Sequence, residues 1–275
     1  MVRGSLANRP QSPSRACGYD DGVRARPMLV ALAALILGVS CSPGTEGSRS
    51  PVSAPAAEGV AVKPVVETSA LAAEKETSGA VVATGRVDRV KVFRRPGGGV
   101  PFVRLDHPNR FGTPTVFLVD RIDGRWVRAY LPMRPNEVRG WIRREEVRLS
   151  STPYRIVVDV GDNLLKVWKG DRRIMAEPVA VGTAGTPTPT GQFFVSLLAE
   201  FSDGSVYGPF AFGLSAYSEV YQTFGGGDGQ VAIHGTNDPS SIGLDISHGC
   251  IRLSNDAILE LRRRLPLGTP VRIRQ

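Results

Sequence analysis

Ten consecutive residues, Gly182-Thr183-Ala184-Gly185-Thr186-Pro187-Thr188-Pro189-Thr190-Gly191, bar a helix from the middle of the C-terminal half. Proline removes backbone donors and fixes φ while glycine opens the left-handed region, so this segment has to be a loop between extended elements. The same punctuation recurs from residue 84 onward. Val90-Lys91-Val92-Phe93 is followed by Pro96-Gly97-Gly98-Gly99, and Val116-Phe117-Leu118-Val119 by Asp123-Gly124. Arg125-Trp126-Val127-Arg128-Ala129-Tyr130 and Gly140-Trp141-Ile142 then alternate large apolar with charged residues at period two. Runs this short predict strands and a mainly β fold, with a small barrel or sandwich over residues 84–150.

A second β unit is predicted over residues 151–275. Residues 155–160, the turn Gly161-Asp162-Asn163 and residues 164–168 read as a hairpin, and 192–197 as a further strand. One helix is predicted after Asn255, where Ala257, Ile258, Leu261 and Leu265 recur at three- and four-residue steps, with Ser254 or Asn255 as its cap and Gly268 beyond its end. Pro270-Val271-Arg272-Ile273 would then close the sheet.

Residues 42–83 are rich in Ser, Pro, Ala, Gly, Thr and Glu and hold no aromatic residue, so they predict a disordered tether with a reach of roughly 35 Å. Before it, Arg24 and Arg26 precede an apolar stretch from Met28 to Val39 and then Ser40-Cys41, which predicts an export signal over residues 1–41. Leu37-Gly38-Val39-Ser40-Cys41 resembles the lipobox of bacterial lipoproteins, which implies lipid on Cys41. The expected location is the cell envelope, at the outer face of the cytoplasmic membrane or in the periplasm. Residues 1–22 are polar and carry no signal chemistry, so translation is expected to start at Val23 or Met28. Of the three cysteines, Cys17 would leave with the signal and Cys41 would carry lipid, so Cys250 would have no partner in an oxidising compartment.

The net charge of +8 is uneven. Residues 84–150 carry fifteen Lys/Arg and seven Asp/Glu, whereas residues 151–275 carry eleven and twelve. That basic segment, with Arg94, Arg95, Arg143 and Arg144, could contact anionic wall polymers or could simply be solvated. No base-reading motif points to nucleic acid.

Chemistry concentrates in His234-Gly235-Thr236-Asn237 and Ser247-His248-Gly249-Cys250-Ile251-Arg252-Leu253. A free cysteine is commonly a small buried hydrophobe, but an acyl-transfer cysteine needs a base, and two of three histidines lie close by in sequence. His234 follows Val231-Ala232-Ile233, which would mount it at a strand end facing Cys250 on a neighbouring strand. Gly249 would leave backbone N–H groups open to an oxyanion. A zinc site from His234, Asp238, His248 and Cys250 is the metal alternative, at a spacing that fits no recognised zinc pattern.

These segments resemble the signature of the L,D-transpeptidase (YkuD-type) catalytic domain: a histidine, a spacer, then Ser/Thr-His-Gly-Cys, an apolar residue and Asn or Arg. The Thr186–Gly191 run and Gly268-Thr269-Pro270-Val271 extend the likeness, and the Asp-Gly-Arg-Trp-Val-Arg-Ala-Tyr segment with Gly-Trp-Ile resembles bacterial SH3-like domains. The fold implied is a small SH3-like barrel followed by a YkuD-type β-sandwich or barrel with one helix. The resemblance implies Cys250 as nucleophile and His234 as base, with His248, Gly249 and Cys250 around the oxyanion and Ser247 and Arg252 shaping the cleft. Where some members have Ser after the first histidine, this chain has Gly235, so a backbone carbonyl would have to orient the base. The implied reaction joins peptidoglycan stem peptides through a cysteine thioester into 3→3 cross-links, needs no cofactor, and is slowly blocked by carbapenems. A cysteine wall-peptide hydrolase (L,D-carboxypeptidase) and a non-catalytic wall-binding lipoprotein are the alternatives. The family places a loop over the cleft at residues 200–230, where Tyr207 or Tyr221 would face substrate, although those aromatics could equally be core.

Overall fold

Strands separated by turns run through residues 79–224 and 227–275, which the computed structural model describes. The export signal with Cys41, and residues 42–78 of the predicted tether, lie outside the described residues. The tether boundary at residue 83 is corrected, because β1 (Ala80–Gly85) is a sheet strand. Its small and branched side chains fit a pleated surface, and its backbone is paired along both edges.

β1 is joined by β2 (Arg89–Phe93), β3 (Val103–Asp106), β4 (Val116–Asp123), β5 (Trp126–Tyr130), β6 (Arg139–Arg143) and β7 (Val147–Thr152). They form a seven-stranded sheet in the order β3-β2-β6-β5-β4-β1-β7. Phe117, Val127, Ile142 and Leu131 are the largest members of its fully buried core.

The second sheet takes β8 (Tyr154–Asp159), β9 (Leu164–Lys169), β10 (Arg172–Pro178), β12 (Gly191–Glu200), β13 (Phe210–Tyr217), β14 (Gln230–His234), β16 (Ile251–Arg252) and β17 (Pro270–Arg274), while β11 (Val181–Gly182) pairs separately with β15 (Asp245–Ser247). The eight strands run β10-β9-β8-β17-β12-β13-β14-β16, so the C-terminal strand sits inside the sheet, parallel to β8 and antiparallel to β12. The predicted hairpin is β8–β9. The helix α1 (Asn255–Arg262) starts on Ser254, whose Oγ accepts from the Ala257 N–H at 3.3 Å, and buries Ala257, Ile258 and Leu261. Leu265 is buried too, but beyond the helix end. Pro266, which follows it, disfavours helical backbone at Leu265.

One strand serves two cores. Phe193 and Phe194 are adjacent in β12 and point to opposite faces, Phe193 into the main core and Phe194 into a junction with Val82, Val116 and Leu118 of the small sheet. Gly268 is part of that junction: with φ at +82°, it lies so close to Val82 that no Cβ would fit. Phe194→Ala should therefore cost about 3–5 kcal/mol in guanidinium unfolding, with both sheets melting in one transition. A loss below about 1 kcal/mol, or two separate transitions, would contradict this account of the junction.

Candidate active site

The parallel pairing of β14 with β16 sets the site. Ile233 lies opposite Ile251, and both are fully buried in the main core. Alternation then sends His234, Ala232, Cys250 and Arg252 to the other face. His234 is opposite Arg252 in the ladder. Cys250, one residue before β16, thus falls beside Ala232, whose backbone hydrogen-bonds the thiol. The expected mounting on neighbouring strands holds with one adjustment, since Cys250 sits in the turn leading into its strand.

That turn is built by hydroxyls. Ser247 Oγ donates to the Cys250 carbonyl at 2.6 Å and accepts from the Gly249 N–H at 3.1 Å. Below it, Thr186 Oγ1 donates to the Ser247 carbonyl and Thr188 Oγ1 to the Gly249 carbonyl, both at 3.0 Å. The threonines of the helix-barring run are therefore a brace under Cys250, a use that their spacing did not reveal. Gly249 has φ at +112°, which explains glycine there. Its N–H is committed to Ser247, so the expectation that Gly249 offers a free oxyanion donor is corrected.

His234, the last residue of β14, is 4% exposed. Its Nδ1 lies 2.5 Å from the Gly235 carbonyl. A carbonyl can only accept, so Nδ1 carries the proton and Nε2 is left as the acceptor. The backbone orienter expected at Gly235 is thus present. Asn255 Oδ1 accepts from the Thr236 N–H at 2.9 Å and pins the next residue, so the first residue of α1 also serves the site.

The aromatics of residues 200–230 divide. Phe210, Phe212 and Tyr217 are core. Tyr207 meets the His234 ring edge-on at 5.1 Å and is backed by Phe201. Tyr221 and Phe224 stand 5.9 Å and 5.3 Å from the exposed His248 ring. Tyr207 with His234 thus forms one ring group, and Tyr221 and Phe224 with His248 form another. Asp238 instead takes part in a local turn, where it accepts from Ser240, and among the described residues no three His, Cys, Asp or Glu side chains are grouped to hold a metal.

Burial pushes the His234 imidazole down to about 4, helped by the Arg252 charge and opposed by the Gly235 hydrogen bond. Burial also pushes the Cys250 thiol up, although the Ala232 backbone and Arg252 act the other way. These directions favour a neutral thiol beside a neutral imidazole over a standing ion pair. Tyr207 is likewise raised, by burial first and then by the charge that Cys250 would carry as a thiolate.

A family model described as the YkuD L,D-transpeptidase catalytic domain matches residues 153–273. The chain is 39% identical over 121 residues to the putative L,D-transpeptidase YkuD of Bacillus licheniformis, a match that spans 44% of this chain and 66% of that protein. It is 32% identical over 134 residues to the putative L,D-transpeptidase YqjB of Bacillus subtilis, spanning 46% of this chain and 73% of that protein. Among solved structures, an L,D-transpeptidase from Mycobacterium smegmatis aligns at 17% identity and a TM-score of 0.37 over 68% of this chain and 99% of that one.

The lowered His234 value has a stability consequence. The unfolded imidazole takes up a proton near 6.5 and the folded one only near 4, so this contribution is complete above pH 6.5 and is lost as pH falls toward 4. Between pH 7 and pH 5 the chain should lose about 2 kcal/mol more than a His234→Gln variant in denaturant titrations. Equal losses in the two proteins would show that His234 is not held neutral by burial.

Proposed function

The chain belongs to the YkuD-type L,D-transpeptidase family, and from that we propose that it joins peptidoglycan stem peptides by 3→3 cross-links through a thioester on Cys250. The observation that carries this reading is the shared face of β14 and β16, with His234 Nδ1 tied back so that Nε2 serves as base. As Sγ attacks the carbonyl of the third stem residue, Nε2 takes the thiol proton. The tetrahedral intermediate collapses, and the proton passes to the departing amine of the terminal D-alanine, leaving the thioester. The side-chain amine of another stem then attacks, gives its excess proton to His234, and expels the sulfur, which regains a proton. We assign oxyanion contact to backbone N–H groups at His248 and Cys250, and cleft shape to Ser247 and Arg252.

The test is incubation with stem tetrapeptides followed by mass spectrometry. A cross-linked dimer is the expected product. Accumulation of trimmed tripeptide without dimer would instead give the L,D-carboxypeptidase reading. Cys250→Ala should abolish both products, and His234→Ala should slow acylation about 10²- to 10⁴-fold. Full activity in either variant would remove the role assigned to it.

We read residues 84–150 as an SH3-like wall module on an exported chain anchored by lipid at Cys41. A depression lined by Arg86, Arg125, Arg143, Arg144 and Arg148 around Trp126, with Glu145 as its one acid, supports contact with anionic wall polymers. An Arg144→Glu/Arg148→Glu variant should bind poly(glycerol phosphate) more weakly than the parent at low salt, and raising the salt should erase the difference. Equal binding at low salt would discard this surface.

A further inference from the structure

The small sheet meets the catalytic half through the loop 131–138 between β5 and β6, and Arg110, between β3 and β4, adds an ion pair to Asp228 at 3.1 Å. Arg134 in that loop donates to three backbone carbonyls of the catalytic half: Ser218 at 2.7 Å, Tyr221 at 2.8 Å and Asp228 at 3.1 Å. Its guanidinium also stands 5.2 Å above the Tyr217 ring. Asn136 brackets Tyr217 from the same loop, accepting from its N–H at 2.8 Å and donating to its carbonyl at 2.9 Å. The Tyr217 hydroxyl donates back to the Pro132 carbonyl at 2.9 Å. Gly229 lies so close to the Tyr221 carbonyl and Arg134 that any side chain there would collide with both.

These contacts fall on both arms that leave β13 and return to β14. One arm, 218–224, carries Tyr221 and Phe224 against His248; the other, 227–229, is joined to it by reciprocal Phe224 and Gly227 backbone bonds at 2.9 and 3.1 Å. A planar guanidinium with donors in a fixed fork holds several carbonyls at once, which a lysine cannot do. Hydrogen bonds that the Val220 and Tyr221 amides donate to Ser218 Oγ shape the first arm but do not tie it to anything outside the arm.

The side of the cleft so held has a definite part in the reaction proposed above, on which this step rests. Leaving amine and attacking amine both exchange a proton with His234, so both occupy the flank where Tyr207 meets that ring. The acyl part of the donor must then extend over the other flank, along His248, Tyr221 and Phe224. We infer that Arg134 is a positioning residue for the donor stem, and that the small sheet thereby builds one wall of the substrate site. Positioning of this kind acts on the bound donor geometry and leaves the base untouched.

The full chain is compared with its Arg134→Ala, Arg134→Lys and Asn136→Ala variants. Hydrogen exchange should rise in peptides covering 218–224 and 227–229 in the arginine variants and stay unchanged in β8 and β9. With a tetrapeptide donor and mass detection of acyl-Cys250, half-saturation should move about tenfold or more toward higher donor concentration. Half-saturation by the acceptor amine and the rate of alkylation by iodoacetamide should not move. Lysine should not rescue the arginine loss, because one ammonium cannot span three carbonyls. If Arg134→Ala does not fold, as read by its thermal melt, the lysine and Asn136 variants carry the comparison. Unchanged exchange in both arms, or equal donor half-saturation, overturns the inference. Failure of the thioester reading looks different: wild-type Cys250 would alkylate but never carry an acyl group from the donor.

Discussion

Pairing of β14 with β16 in parallel is the constraint from which the rest follows. Because Ile233 and Ile251 must both face the main core, His234, Cys250 and Arg252 are sent together to the opposite face. A slip of β16 by one residue would turn Cys250 toward the core and Ile251 away from it while His234 stayed in place. The hydrophobic core therefore enforces the register that sends Cys250 and His234 to one face. Neither group needs a dedicated contact to find the other.

Around this pair, the structure spends its polar groups on geometry. The Ser247 hydroxyl closes the Cys250 turn, two threonine hydroxyls hold the carbonyls beneath it, and one carbonyl sets the imidazole tautomer. The same packing withdraws water, which is why the imidazole is lowered and the thiol raised. A neutral pair of this kind keeps standing charge out of a largely buried site. Among the described residues, Arg252 is the charge that acts on both groups, and it favours the thiolate while disfavouring the imidazolium.

The small sheet is joined to this machinery at two levels. Phe194 fills the apolar junction, and the 131–138 loop reaches past it to the arms beside His248. The apolar contact supplies most of the stabilisation, because it removes a full aromatic side chain from water. The polar contacts add direction, since a fork of donors fixes where the carbonyls lie and therefore where Tyr221 and Phe224 stand. The small sheet is thus tied by hydrogen bonds to the backbone beside His248.

Local chemistry was legible from residue order. Short β-type runs bounded by turn residues located β2 and β8, period-two alternation located β5 and β6, and the three- and four-residue steps located α1, while the His-Gly-Thr and Ser-His-Gly-Cys segments carry the family resemblance, because each signal depends only on near neighbours. The start of β1 was missed, as four small apolar residues after a polar stretch acquire strand character only when β4 and β7 flank them. Partners distant in sequence were equally invisible: Arg134 meets Ser218 across 84 positions, and Thr188 meets Gly249 across 61. Such contacts, and the burial that sets the state of His234, come from register and close packing between strands, which no local pattern specifies.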